Sequence, residues 1–391
     1  MNNISFKKGI YQLNKDPNIN YQLNRMIMWN GGDLDEVKSV APKIHDCKSW
    51  EKEILSLGDK ALTEGRTENA IGYIRMAEFF MYNGNPKKMM VYDKARELFY
   101  SYYSQYFGSE AHQIQIEKIP YENRYLPCWH IGASGEKKDT ILLHGGNDSL
   151  IEEFLFTVLY IAKQGFEVYC FEGPGQGEVL KKCGIPFTNE WERPVKAILD
   201  YYSLEDVTIV GVSLGGVLAP RAAAFEKRIK RVVGWSIIPN LLEVGFATRP
   251  KAIRRMTRLL LKTNQRWFIN FVFNKMAAKE ELIHWAMNHG KYAYDCKDAF
   301  EYIQKSDNFD MVKIAHMITQ DFLLLGAKND HFIDFSLYKK EIDALKNVRS
   351  LTFRVFTDKE QADNHCNMGN SKLAIDTILN WICQTKKVGV C

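Results

Sequence analysis

The stretch "GVSLGG", residues 211–216, holds one serine and three glycines. It follows the β-branched run Val207-Thr208-Ile209-Val210 and precedes an apolar, alanine-rich segment. That order, strand then tight turn then helix, is the context in which a G-x-S-x-G turn lifts a serine hydroxyl above the end of a sheet. The turn forces its serine into an unfavourable backbone conformation, so neighbouring positions must lack bulk, and Gly211, Gly215 and Gly216 meet that demand. The alternative is a loop that needed small residues for packing alone. The motif recurs by chance, so the rest of the chain must decide.

Upstream, "ILLHGGNDS" (141–149) reads as a strand ending in His-Gly-Gly. Such a loop supplies a backbone N–H to a developing oxyanion, and the sequence leaves Gly146 and Asn147 both open as that donor. The Leu214 N–H, next to the serine, is the other. Downstream, "DFLLLGAKNDHFI" is a strand and turn carrying Asp330, and "LTFRVFTDKEQADNHCNMGN" is a strand and loop carrying His365. Ser213, Asp330 and His365 occur in the chain order of a nucleophile-acid-base set on such a sheet, each just beyond the carboxyl end of a strand. His331 comes too early for that order and reads as a loop histidine. Asp358 and Asp363 read as loop polar residues. His144 is placed to line the pocket.

Around these motifs, short apolar runs at Thr140–Leu143, Glu167–Phe171, Val207–Val210, Arg231–Ser236, Phe322–Leu325 and Leu351–Val355 alternate with helical stretches. The fold class is therefore α/β with a mainly parallel sheet, preceded by a hairpin in "HQIQIEKIPY" and "YLPCWHIG". Residues 1–110 read as an N-terminal helical domain, with apolar spacing at Ile54, Leu57 and Ala61 and again at Ile71, Ile74, Ala77 and Met81. Residues 111–391 read as the catalytic domain, interrupted at about 240–318 by a strandless helical excursion of the kind that serves as a lid.

The chain has 391 residues, 46% hydrophobic and 25% charged, with a net charge of +5. These values fit a globular protein. No nucleic-acid-binding module or membrane-spanning run is visible, and the first residues have no apolar leader, so the expected location is cytoplasmic. The eight cysteines form no C-x-x-C pair and are expected to be reduced. No metal or organic cofactor is expected. The run "RPKAIRRMTRLLLKTNQR" (249–266) carries seven basic residues and no acid. It is read first as a solvated lid face, the alternatives being a membrane surface or an acidic partner.

"HGGNDSLIEE", "FEGPGQGE", "GVSLGG" and "DNHCNMGN", with "NRMIMWNGGDLDEV" and "AIGYIRMAEFFMYNG" near the amino terminus, together resemble one family. It is the group of α/β-hydrolases typified by 2,6-dihydroxypseudooxynicotine hydrolase, related to fungal hydrolases that shorten polyketide chains and to fermentation-respiration-switch esterases. The resemblance implies an α/β-hydrolase core with a helical domain packed over it and an active site between them, often as a homodimer. It places the triad on Ser213, Asp330 and His365. Glu172 stands where many relatives carry aspartate. An acidic residue after the following strand handles substrate in this group, and here only Glu243 is available. Arg75, in an apolar helix, is a candidate for an anionic substrate, and Phe80 for an apolar pocket wall, each set against core packing or ion pairing. The implied partner is a small-molecule carbonyl substrate, either an ester or a ketone cleaved at a neighbouring C–C bond. The competing reading is a catalytically silent hydrolase fold that binds a small ligand.

Overall fold

The computed structural model describes residues 4–110, 112–247 and 249–388. Cys391, counted above among the reduced cysteines, lies outside them, while the seven other cysteines are free thiols. Among the described residues no helix is long and apolar enough to cross a membrane. The chain divides into two compact units.

The larger unit takes in Phe107–Arg258 and the chain from Ile303 onward. Its sheet has eight strands: β1 (Gln115–Tyr121), β2 (Arg124–Ile131), β3 (Asp139–His144), β4 (Phe166–Phe171), β5 (Val207–Val212), β6 (Ile229–Trp235), β7 (Asp321–Ala327) and β8 (Ser350–Phe356). They lie in the order β1-β2-β4-β3-β5-β6-β7-β8. β2 runs antiparallel to both β1 and β4, and every other pairing is parallel. Every residue of β3, β5 and β7 is buried, as expected of strands covered on both faces. The helix Glu192–Tyr202 packs on Gly215–Phe225, and the helix Ser371–Val388 packs on Leu155–Lys163.

Strand order reverses around β3, because the chain first adds β4 on one side and then crosses to add β5 on the other. The carboxyl ends of β3 and β5 therefore diverge into separate loops, leaving a crevice at that end of the sheet. His144, the last residue of β3, pairs with Gly211 of β5, so the His-Gly-Gly loop and the serine turn leave the sheet side by side.

The opposite end of the sheet is tied by charge. Asp139, at the start of β3, accepts from Arg231 of β6 at 3.0 Å and from Thr208 of β5 at 2.6 Å, with Lys386 at 2.9 Å. Arg231 also reaches Asp206 at 2.6 Å. Arg231 and Asp139 are buried, so each depends on the other for the interactions lost from water.

The smaller unit comprises Phe6–Tyr106 and Leu259–Tyr302. The excursion is thus divided: its middle belongs with the N-terminal helices, and its two ends belong with the sheet. Helices Pro17–Trp29, Cys47–Thr63, Thr67–Phe79 and Lys88–Tyr102 enclose Leu23, Met26, Trp50, Tyr73 and Phe80. Trp285, from the excursion, joins that core with its ring 5.0 Å from Phe80. Asp16, Asp33 and Asp46 cap the helices Pro17–Trp29, Leu34–Val40 and Cys47–Thr63, which explains where they start.

Replacing Arg231 with Met is expected to lower stability by about 3 kcal/mol, the lower end for a broken buried pair, because Lys386 still faces Asp139. Urea unfolding monitored by far-UV circular dichroism measures this. An unchanged midpoint would mean that the buried pair contributes nothing to the fold.

Candidate active site

Ser213 adopts a φ of +59°, in the left-handed region that side chains rarely occupy. It sits between the end of β5 and the helix Gly215–Phe225, and its N–H donates to the Trp235 carbonyl at 3.1 Å. The turn is possible only because neighbouring positions lack side chains. A Cβ on Gly211 would lie 2.1 Å from the Gly215 carbonyl oxygen. A Cβ on Gly146 would lie 2.7 Å from the Leu214 nitrogen and 2.7 Å from the Ser213 Cβ. The loop after β3 thus runs in backbone contact with the serine turn, as its paired glycines suggest.

Ser213 Oγ lies 2.8 Å from His365 Nε2, and His365 Nδ1 lies 2.7 Å from Asp330 Oδ2. With Nδ1–H donating to the carboxylate, Nε2 is left to accept the serine proton. Asp330 is itself held by two backbone N–H groups, from Phe332 at 2.9 Å and Ile333 at 3.1 Å, both on its other oxygen. The side chains of His365 and Asp330 are both buried. Burial alone lowers the His365 pKa, but the nearby Asp330 carboxylate outweighs it, and the net value is well above that of an ordinary histidine.

The loop that carries His365 is held in place by residues for which sequence reasoning found no such role. Cys366 and Asn367 follow it with φ of +52° and +55°. Two consecutive non-glycine residues in this region cost on the order of 1 kcal/mol or more each. The Asn367 side chain compensates by accepting from the Trp235 indole at 2.8 Å and donating to the Ala362 carbonyl at 2.7 Å. Trp235 therefore holds the serine turn through its carbonyl and the histidine loop through its indole. Asn329, beside the acid, receives no charge role; its backbone and side-chain N–H groups both donate to Asp363, at 2.9 Å and 2.7 Å. Asp363 thereby ties the histidine loop to the acid loop.

"FEGPGQGE" does comparable work for the loop after β3. Gln176 donates to the carbonyls of Gly145 and Gly146 at 2.8 and 2.9 Å, while its own oxygen accepts from the Gly173 N–H at 2.9 Å. Glu172 is buried and accepts from the N–H groups of Ile151 at 2.8 Å and Glu178 at 2.7 Å. A signal for both existed in the motif, although not for their partners. Trp235 had none, since a strand-terminal tryptophan looks like core.

The remaining sequence candidates fall as follows. Gly146 N–H donates to Ser149 Oγ at 3.2 Å, and Asn147 is half-buried beside it. The Leu214 N–H has no protein acceptor among the described residues. His144 is fully buried, its Nδ1 3.0 Å from the Gly145 carbonyl, and burial pushes its pKa down to about 4. Glu243 is buried and paired with Lys340 at 2.6 Å and Arg258 at 2.8 Å. Burial alone would raise its pKa, but the two cations lower it more. Arg75 and Phe80 belong to the helical unit, where Arg75 is buried and donates to Asn30 Oδ1, and the Phe80 ring is enclosed by Trp50, Phe79 and Trp285.

A family model for the alpha/beta hydrolase fold matches residues 141–356. The chain belongs to the α/β-hydrolase family. Among curated proteins it is similar to hydrolase acrC of Aspergillus aculeatus, 27% identical over 322 residues, covering 69% of this chain and 72% of that one. It is also similar to α/β hydrolase psoB of Aspergillus fumigatus, 30% identical over 327 residues, covering 73% and 72%. Among solved structures, 2,6-dihydroxy-pseudo-oxynicotine hydrolase superposes with a TM-score of 0.59 at 17% identity, covering 92% of this chain and 94% of that one. As an α/β-hydrolase with relatives named for hydrolysis, the protein is an enzyme, a hydrolase.

Gly146→Ala is expected to push the loop after β3 away from the serine turn and lower kcat by about 10²-fold, the cost of misplacing a reacting group by roughly 1 Å. Steady-state kinetics on an activated ester, alongside thermal unfolding, checks this. Full activity in a folded variant would contradict the close approach.

Proposed function

We propose that the protein is a serine hydrolase in which Ser213 is the nucleophile, His365 the general base and acid, and Asp330 the carboxylate that orients and stabilises the imidazole. The observation that carries this reading is the continuous pair of short hydrogen bonds from Ser213 through His365 to Asp330, built on a serine whose φ is +59°. A silent ligand-binding fold has no use for that strained serine or for a buried carboxylate aimed at the far side of the histidine.

In the proposed reaction the Ser213 Oγ–H gives its proton to His365 Nε2 as Oγ bonds to the substrate carbonyl carbon. The negative charge that forms on the carbonyl oxygen is met by the Leu214 N–H and by an N–H from Gly146 or Asn147, each such donor being worth about 10²–10³ in rate. Collapse expels the leaving group, which takes the proton from His365 and leaves an acyl-enzyme. Water, deprotonated by the same histidine, then releases the acid and restores Ser213. An ester loses an alkoxide in this way. A ketone with a second carbonyl or an electron-rich aromatic group loses a carbon leaving group that is stabilised as an enolate or protonated as it departs. Both are within reach of the same three side chains, because fold and triad do not choose the substrate. The Phe332 ring, 5.0 Å from the His365 ring and set edge-to-face, adds an apolar surface beside the imidazole.

A fluorophosphonate probe is expected to add once to the wild type and not at all to Ser213→Ala, as read by intact mass. An adduct on the variant, or none on the folded wild type, would overturn Ser213 as nucleophile. The pH profile gives a second test. His365 must be neutral to accept the proton, so kcat/KM is expected to rise with pH through a limb centred above the ordinary histidine value of 6.5. Asp330→Asn removes the charge that raises that pKa, so the limb is expected to move to lower pH while kcat falls by about 10⁴. A limb that stays in place would remove Asp330 from the set.

A further inference from the structure

Six of the twelve large hydrophobic side chains that are exposed among the described residues fall within one short stretch: Ile253, Met256, Leu259, Trp267, Phe268 and Phe271. They belong to two consecutive helices, Lys251–Lys262 and Arg266–Ala277, which turn inward at Leu261 and Ile269, both buried. On the first helix the exposed residues recur every three positions, which keeps them on one side. On the second, Trp267 and Phe271 are one turn apart and stack, with centroids 5.6 Å apart and planes within 14°. Trp267 is 75% exposed, an unusual position for the largest apolar side chain.

The charge on this stretch is of one sign. Between Lys251 and Ala278 there is no aspartate or glutamate. Arg258 and Arg266 are neutralised from elsewhere, by Glu243 and by Asp298 and Glu301. Lys251, Arg255, Lys262 and Lys275 are exposed and form no ion pair among the described residues, and Lys275 lies over the Phe271 ring at 5.7 Å.

We infer that these two helices form a docking surface for an anionic lipid bilayer. Aromatic and aliphatic side chains that project from a helix flanked by unpaired cations match the chemistry of a bilayer interface, where rings enter the headgroup boundary and lysine and arginine stems extend back to the phosphates. A second copy of this chain would bring like charge against like charge. An acidic protein shares the charge complementarity, but it would have to offer matching pockets to six projecting side chains, whereas a fluid interface accepts them without prior fit.

The test is co-sedimentation of the full chain with vesicles of phosphatidylcholine alone and with about 30 mol% phosphatidylserine, the latter carrying the negative surface potential that attracts basic segments. Binding is expected only to the anionic vesicles. It is expected to weaken at least tenfold in 0.5 M salt, where screening is strong, and at least tenfold in the triple variant Trp267→Ser, Phe268→Ser, Phe271→Ser. That variant is expected to hydrolyse a soluble ester at the wild-type rate, which verifies its fold. Absence of binding to anionic vesicles overturns the inference, as does binding that the triple variant retains. Capture by polyglutamate without vesicle binding would replace the bilayer with an acidic protein. Self-association that the triple variant abolishes, again without vesicle binding, would replace it with a second copy.

Discussion

Much of the larger unit's design follows from holding one serine in a left-handed conformation at the end of β5. At a φ of +59° Ser213 carries a backbone cost that the surroundings must offset. They do so with the hydrogen bond to Trp235 and with glycines wherever the turn meets other chain. Gly211 lets the following helix fold back to within contact of the strand, and Gly146 lets the loop after β3 approach the same turn. Neither position has room for a methyl group. The requirement for small residues, which alone was compatible with mere packing, therefore has a geometric cause: three segments of backbone converge on one side chain.

Convergence at that end of the sheet depends on parallel strands. β3, β5, β6, β7 and β8 all release their chains at the same end, so Gly146, Ser213, Trp235, Asp330 and His365 become neighbours despite large separations in sequence. Loops brought together in this way still need cross-links to hold angstrom-level geometry. Trp235 joins the serine turn to the histidine loop, Asp363 joins the histidine loop to the acid loop, and Gln176 fixes the loop after β3. The hydrogen-bond chain from Ser213 to Asp330 is thus the visible part of a larger network, most of it made of side chain to backbone bonds.

The division between what was legible in the sequence and what was not follows the range of each interaction. The strand segments of the parallel sheet were legible because buried parallel strands are continuous apolar runs, and the serine turn because its glycines are adjacent in the chain. Asp330 and His365 were legible through their positions after strands, a topological rule rather than a local one. Trp235 and Asn367 were not, because each resembles an ordinary residue of its type until the partner 132 positions away is known. The same limit applied to the excursion. Its helices could be read from spacing, but that Trp285 belongs in a core with Trp50 and Phe80 depends on contacts between segments some two hundred residues apart.

Three histidines lie at or next to these converging loops, and their environments separate them by charge. His144 is buried without an acid, and its pKa falls to about 4. His331 is half-buried, and although Asp330 is its sequence neighbour, partial burial and the charge of His365 outweigh that carboxylate and hold its pKa down at about 4. Only His365 receives the carboxylate in a direct hydrogen bond, and only its pKa rises. One aspartate thus distinguishes one imidazole from two others of identical chemistry. On the proposed reading this is the condition for an orderly reaction: His144 and His331 stay neutral near pH 7, so a proton leaving Ser213 has a single basic destination and returns from there to the leaving group.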